Sequence, residues 1–146
     1  MRRFLCLSAL LLPLAACDEE KKPDPVAPEV TRALVECRPV DGIYTLSLID
    51  FTVLDLDGAD DLEDEPVVLV EATRLHPERE VLTWDASRTE KCRAEACEVR
   101  YRWEYQRGQT EQIFCGEADA LLLSARLDVQ DRRGLVSRKL VNATPL

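Results

Sequence analysis

One stretch limits the choice of fold more than any other. In residues 97–105, Cys97, Val99, Tyr101, Trp103 and Tyr105 alternate with Glu98, Arg100, Arg102 and Glu104. Successive side chains of an extended chain point to opposite faces, so this period of two predicts a half-buried antiparallel strand with one aromatic and one charged face. Residues 107–110 then supply a turn into 112–115, which reads as a hairpin. The aromatic side chains of this strand, with Trp84, are read as core rather than as a sugar-stacking platform. Arg100, Arg102 and Arg107 are read as a solvated face that an acidic partner would also suit.

The rest of the chain continues the β texture. Residues 44–56 carry Leu46, Leu48, Phe51, Val53 and Leu54, with a change of phase near Asp50 that predicts a bulge. Residues 67–75 open as a continuous apolar run, and 80–84 read as a short strand. Leu121, Leu123, Ala125, Leu127 and Val129 alternate again. Residues 118–127 also contain good helix formers, but the alternation decides for strand. The five glycines, Gly42, Gly58, Gly108, Gly116 and Gly134, fall between apolar runs and read as turn positions. About seven short strands in one domain's length predict an all-β antiparallel sandwich over residues 34–146.

The N-terminus has a different plan. Arg2 and Arg3 precede an uncharged run of 13 residues, and small Ala15 and Ala16 precede Cys17. This is a secretory signal layout, and the run is shorter than the roughly 20 apolar residues a membrane span needs. Leu14-Ala15-Ala16-Cys17 resembles the lipobox of bacterial lipoproteins. The resemblance implies cleavage after residue 16 and lipidation of the Cys17 thiol. It divides the chain into a signal peptide (1–16), an acidic, proline-spaced tether (17–33) and the sandwich (34–146). Asp18 after the cysteine resembles the signal that retains lipoproteins in the inner membrane.

Export also bears on the other cysteines. Cys6 leaves with the signal, and Cys37, Cys92, Cys97 and Cys115 remain, an even number in an oxidising compartment. They predict two disulfides. Cys92–Cys97 with Cys37–Cys115 is one pairing, and Cys37–Cys97 with Cys92–Cys115 stays open.

Two further stretches, residues 50–58 (DFTVLDLDG) and 127–134 (LDVQDRRG), resemble the bacterial immunoglobulin-like, PKD-like or cadherin-like domains, the second as their last hairpin with a D-x-x-G turn. That resemblance implies a single immunoglobulin-like sandwich used for binding, spacing or adhesion, with no catalytic residues.

Charge narrows the partners. The full chain carries −9, and loss of residues 1–16 takes it to −11. Residues 18–65 hold 15 acids against four bases, whereas 66–146 hold 13 of each. Nucleic acid is excluded as a partner, because phosphate binding needs a basic surface. Residues 55–65 (DLDGADDLEDE) contain seven acids and no base. Asp55, Asp57, Asp60 and Asp61 around Gly58 are candidate calcium ligands, although the spacing is not that of an EF-hand. The competing reading is a solvated acidic loop. His76 is the only histidine, so a zinc site or a Ser-His-Asp triad has little to build on. No nucleophile elbow, zinc-protease helix or phosphate loop occurs.

The expected function is therefore a lipid-anchored, non-catalytic binding or structural module of the cell envelope, with no cofactor and with an envelope protein or glycan as partner. The alternatives are a calcium-dependent adhesion module, and an enzyme or enzyme inhibitor with an unrecognised site.

Overall fold

The computed structural model describes residues 24–64, 66–72, 76–82, 86–94, 96–105, 112–117 and 120–146, with backbone alone at 72, 76–82 and 120. The lipobox and Trp84 lie outside these residues, as does the predicted turn at 107–110 with Gly108.

Two antiparallel sheets face one another. Strands β1 (Glu29–Val40) and β2 (Ile43–Asp55) form the first hairpin. Its two-residue connection is Asp41-Gly42, with φ of 51° and 86°. Both central residues of a type I′ turn need positive φ, which Asp tolerates and Gly adopts freely. A short 3₁₀ turn (Ala59–Asp61) leads to β3 (Val67–Ala72) and β4 (His76–Leu82) in the second sheet. The chain returns to the first sheet as β5 (Ser87–Arg93) and β6 (Ala96–Glu104), then as β7 (Phe114–Glu117) and β8 (Ala120–Leu121). β9 (Leu123–Gln130) and β10 (Val136–Asn142) complete the second sheet, and β11 (Thr144–Pro145) pairs parallel to β1. The sheet orders are β11-β1-β2-β6-β5, with β7 and β8 attached through β2, and β10-β9-β3-β4.

The all-β sandwich is as the alternation predicts, and 118–127 contributes strand, not helix, in its described part. Nine strands of four or more residues and two of two residues make up the described sheets. The core lies between the inner faces. Ile49, Phe51 and Val53 of β2 meet Val99 and Tyr101 of β6 on one side, and Val68, Val70, Ala125, Leu127 and Val129 close it from the other. The rings of Phe51 and Tyr101 stack with centroids 5.2 Å apart. Trp103 and Tyr105, at the far end of the alternating strand, are only half-buried.

Three local expectations change. First, β1 begins at Glu29, inside the segment read as tether. Val30 is buried and pairs with Val53, while Glu29 and Arg32 stay exposed and give the segment its linker-like composition. Second, β6 and β7 do not pair as a hairpin. Both run antiparallel to β2 along the same edge, β6 against Leu48 to Asp55 and β7 against Tyr44 and Thr45. A 13-residue strand is long enough to seat both in turn. Third, Gly116 sits within β7 at φ 127°, not in a turn.

The phase change predicted near Asp50 is a bulge at Ser47. Cys37 faces Leu46 and Glu36 faces Leu48, leaving Ser47 as the extra residue. Its hydroxyl donates to the Glu36 carbonyl (3.0 Å), and its own carbonyl accepts from the Tyr105 N–H (2.9 Å).

The structure contains Cys92–Cys97 and Cys37–Cys115. Cys92 and Cys97 are directly opposite one another in the β5–β6 ladder, with Cα atoms 4.1 Å apart. Cys37–Cys115 joins β1 to β7 inside the core.

Candidate site at the acidic pole

One end of the sandwich carries the acidic loop after β2 and the turn between β9 and β10. The backbone joins these two segments. Leu62 and Asp131 form an isolated β-bridge, the Glu63 N–H donates to the Gln130 carbonyl (3.0 Å), and the Arg132 N–H donates to the Asp61 carbonyl (2.6 Å). Ala59 and Leu62 are buried and seal the core beneath the loop. Arg88 of β5 adds a clamp. Its guanidinium donates to the Ala59 carbonyl (2.8 Å) and the Asp64 carboxylate (2.7 Å), and lies 6.0 Å from the Tyr101 ring centroid. The Tyr101 hydroxyl donates to the Glu63 carbonyl (3.3 Å). So the loop that composition reads as solvated is pinned at both ends of its 3₁₀ turn.

Within this pole, Asp55 and Asp131 are both fully buried, at 0% exposure. Asp55 is the last inward-facing residue of β2, and its Oδ1 accepts from the Asp57 N–H (2.7 Å). Asp131 opens the D-x-x-G turn. Its Oδ1 accepts from the N–H groups of Arg133 (3.0 Å) and Leu135 (2.7 Å), and its carbonyl accepts from the Gly134 N–H (3.0 Å). Gly134 takes φ 87°, which only glycine adopts without strain in this turn. Asp57 accepts from the Val26 N–H (3.0 Å) and pairs with Arg133 (3.3 Å), which also reaches Asp61 (3.5 Å). Burial above all raises the Asp55 carboxyl above the usual carboxylate range. The Asp57 N–H bond opposes this, and the charges of Asp57, Asp61 and Asp131 reinforce it.

Of the four predicted ligands, the structure brings Asp55, Asp57 and Asp61 together. Asp60 is exposed on the 3₁₀ turn. Sequence reasoning missed Asp131 and Arg133 as members of this group. The signal was present, since Asp131 begins the turn motif, but the motif was read for fold alone. Among the described residues no group of three or more His, Cys, Asp or Glu side chains stands arranged to hold a metal ion.

No family model, curated protein or solved structure matches this chain. The reading of the site therefore rests on its own geometry.

A second polar group lies on the outer face of the first sheet. Arg100 grips Asp50 with two hydrogen bonds, through Nε (2.8 Å) and through a guanidinium NH₂ group, and Arg102 stands 3.5 Å away. The exposed cationic face expected of the alternating strand is thus partly neutralised by β2. A shallow groove of about 480 Å³ runs beside this cluster, lined in part by Arg32, Leu34 and Thr52. The Arg100 hydrogen bond, helped by the charges of Arg100, Arg102 and Arg32, lowers the Asp50 carboxyl below its usual range against the effect of burial. A lowered acid contributes stability above the unfolded carboxylate pKa of about 3.9 and loses it as the pH falls through the native value. Asp50→Asn is therefore expected to lower stability at pH 7 by up to about 1 kcal/mol, because the pair is half in solvent. The gap to wild type is expected to close near pH 2. Urea midpoints at the two pH values check this, and an equal loss at both would remove the ionic explanation.

Proposed function

We propose that this chain is a lipid-anchored protein of the bacterial cell envelope, whose immunoglobulin-like sandwich is a non-catalytic binding or structural module. The observation that carries the reading is Leu14-Ala15-Ala16-Cys17, placed directly after a short apolar run. Two disulfides support it. They account for all four cysteines after Cys17, which suits an oxidising compartment and leaves Cys17 for the anchor. The acidic tether stands the sandwich off the membrane. Asp18 favours the inner membrane, so the domain faces the periplasm in this reading. The partner is another envelope protein or a glycan.

The anchor makes a direct prediction. Each buried CH₂ of an acyl chain adds about 0.8 kcal/mol to membrane binding, so two or three chains hold the protein durably and none leaves it free. The wild-type chain, expressed in a bacterial host, is expected to incorporate labelled palmitate and to sediment with membranes. Cys17→Ser is expected to lose the label. Wild-type protein that carries no palmitate and stays in the soluble fraction would overturn the proposal.

A further inference from the structure

The two disulfides stand in opposite settings. Cys37 and Cys115 are both buried, at 0% and 1% exposure. Cys92 is exposed on β5, while its partner Cys97 on β6 is buried at 5%. β5 is the end strand of its sheet and pairs with β6 alone. On the other flank of β6, Asp55 of β2 stands opposite Cys97. Disulfide exchange needs the attacking sulfur in line with the bond it breaks, on the side away from the leaving sulfur, so access decides which sulfur is attacked. Because Cys92 and Cys97 face one another directly, their bond spans the ladder from β6 to β5. Attack on Cys97 would have to come from the side of β2, which Asp55 and the core occupy. Attack on Cys92 comes from the open edge of the sheet. The turn beside the bond adds a second observation. Ala94, which follows β5, has φ 53°, a left-handed conformation that its Cβ disfavours. The disulfide closes the hairpin around this turn and holds it in that conformation.

We propose that Cys92–Cys97 is a thiol-exchange site, opened by a dithiol at Cys92 Sγ, and that its opening loosens β5. One thiolate of the dithiol forms a bond to Cys92 Sγ. The Cys92–Cys97 bond breaks, and its electron pair leaves on Cys97 Sγ, which takes up a proton. The second thiolate of the dithiol attacks the reagent sulfur of this mixed disulfide and releases Cys92, which is protonated in turn. The protein disulfide gains two electrons and two protons, and the dithiol becomes a disulfide. The fold survives the exchange, because the bond closes a separation of only 5 and constrains the unfolded chain little. Exposed disulfides are the labile class and sheltered ones resist, so Cys37–Cys115 stays closed as the structural bond. What loosens is a strand with a single neighbour. β5 also carries Arg88, which clamps the Ala59 carbonyl and the Asp64 carboxylate, so the redox state of this bond reaches the acidic pole. The proposal does not depend on the lipid anchor.

The test is reduction of the full chain, kept in detergent, by dithiothreitol without denaturant. Alkylation with iodoacetamide at timed intervals, followed by peptide mass spectrometry, reads each cysteine separately. Cys92 and Cys97 are expected to be alkylated about tenfold faster than Cys37 and Cys115. In this half-reduced form the β5 amides are expected to exchange hydrogen about tenfold faster, with the amides of β1 and β2 unchanged. Oxidised glutathione locates the attacked sulfur. Cys97→Ala, which leaves the Cys92 thiol on the open edge, is expected to form a mixed disulfide about tenfold faster than Cys92→Ala. The proposal is overturned if the two disulfides open together, or if β5 exchanges no faster after reduction. It is equally overturned if Cys92→Ala reacts as fast as Cys97→Ala while circular dichroism shows both folded. Should either variant fail to fold, the order of reduction and the exchange of β5 in the wild-type chain decide.

Discussion

Replacing Cys37 and Cys115 together by alanine is expected to destabilise the fold by about 4–5 kcal/mol, the largest loss from any disulfide in the chain. The bond closes a loop of sequence separation 78, and in the chain-entropy account the stabilisation grows with the logarithm of that length. Cys92–Cys97 closes a separation of 5, for which the same account gives about 2 kcal/mol. Position adds to the contrast. Cys37 and Cys115 are buried at 0% and 1% exposure, so alanine also removes packed sulfur from the core. Their bond ties β1 to β7, which are not neighbours in the sheet but flank β2. Cys92 and Cys97 face each other across a ladder that the β5–β6 hydrogen bonds already hold in register. Urea unfolding of the two double-alanine variants under non-reducing conditions measures both losses. A loss for the short-loop pair as large as for the long-loop pair would refute the entropic argument.

What the sequence made legible was whatever depends on neighbours along the chain. The strand of Val99 and Tyr101 follows from alternation, and the β9–β10 hairpin from the Asp131–Gly134 turn chemistry. The bulge shows as a slip of phase read near Asp50, three residues beyond Ser47, where the structure has it. Hidden features depend on distant partners. Turn residues after Tyr105 suggested a hairpin, yet the free edge of β2 accepts both β6 and β7, and nothing local records how long that edge is. Glu29 and Arg32 made the start of β1 look like linker, because an exposed face and a linker share a composition. The acidic loop is a related case. Its charge density was plain, but whether a carboxylate is solvated or buried depends on Asp131 and Arg133, which come beside it only where the backbone joins the acidic loop to the turn between β9 and β10.

Phe51→Ala is expected to destabilise the domain by about 3–5 kcal/mol, the range for removing a large aromatic side chain from a packed core. Phe51 is 1% exposed, stacks on Tyr101 and sits in the strand against which β1, β6 and β7 all pair. Two effects add. Apolar surface returns to water on unfolding with less to regain, and the space left by the ring is lined by inner-face residues that cannot all collapse into it. Tyr101→Phe is the matched control. It keeps the ring and deletes only the hydroxyl donor to the Glu63 carbonyl, for an expected loss of about 1 kcal/mol. Thr52→Ala, on the opposite face of β2, is expected to change stability by less than about 0.5 kcal/mol. The order Phe51→Ala, Tyr101→Phe, Thr52→Ala in denaturant midpoints is the result to look for. It also bears on the pole, because Phe51, Val53 and Asp55 occupy alternate inward positions of one strand. A Phe51→Ala protein that is as stable as Thr52→Ala would mean that the two sheets are not packed on β2 as described, and the buried placement of Asp55 would fall with that packing.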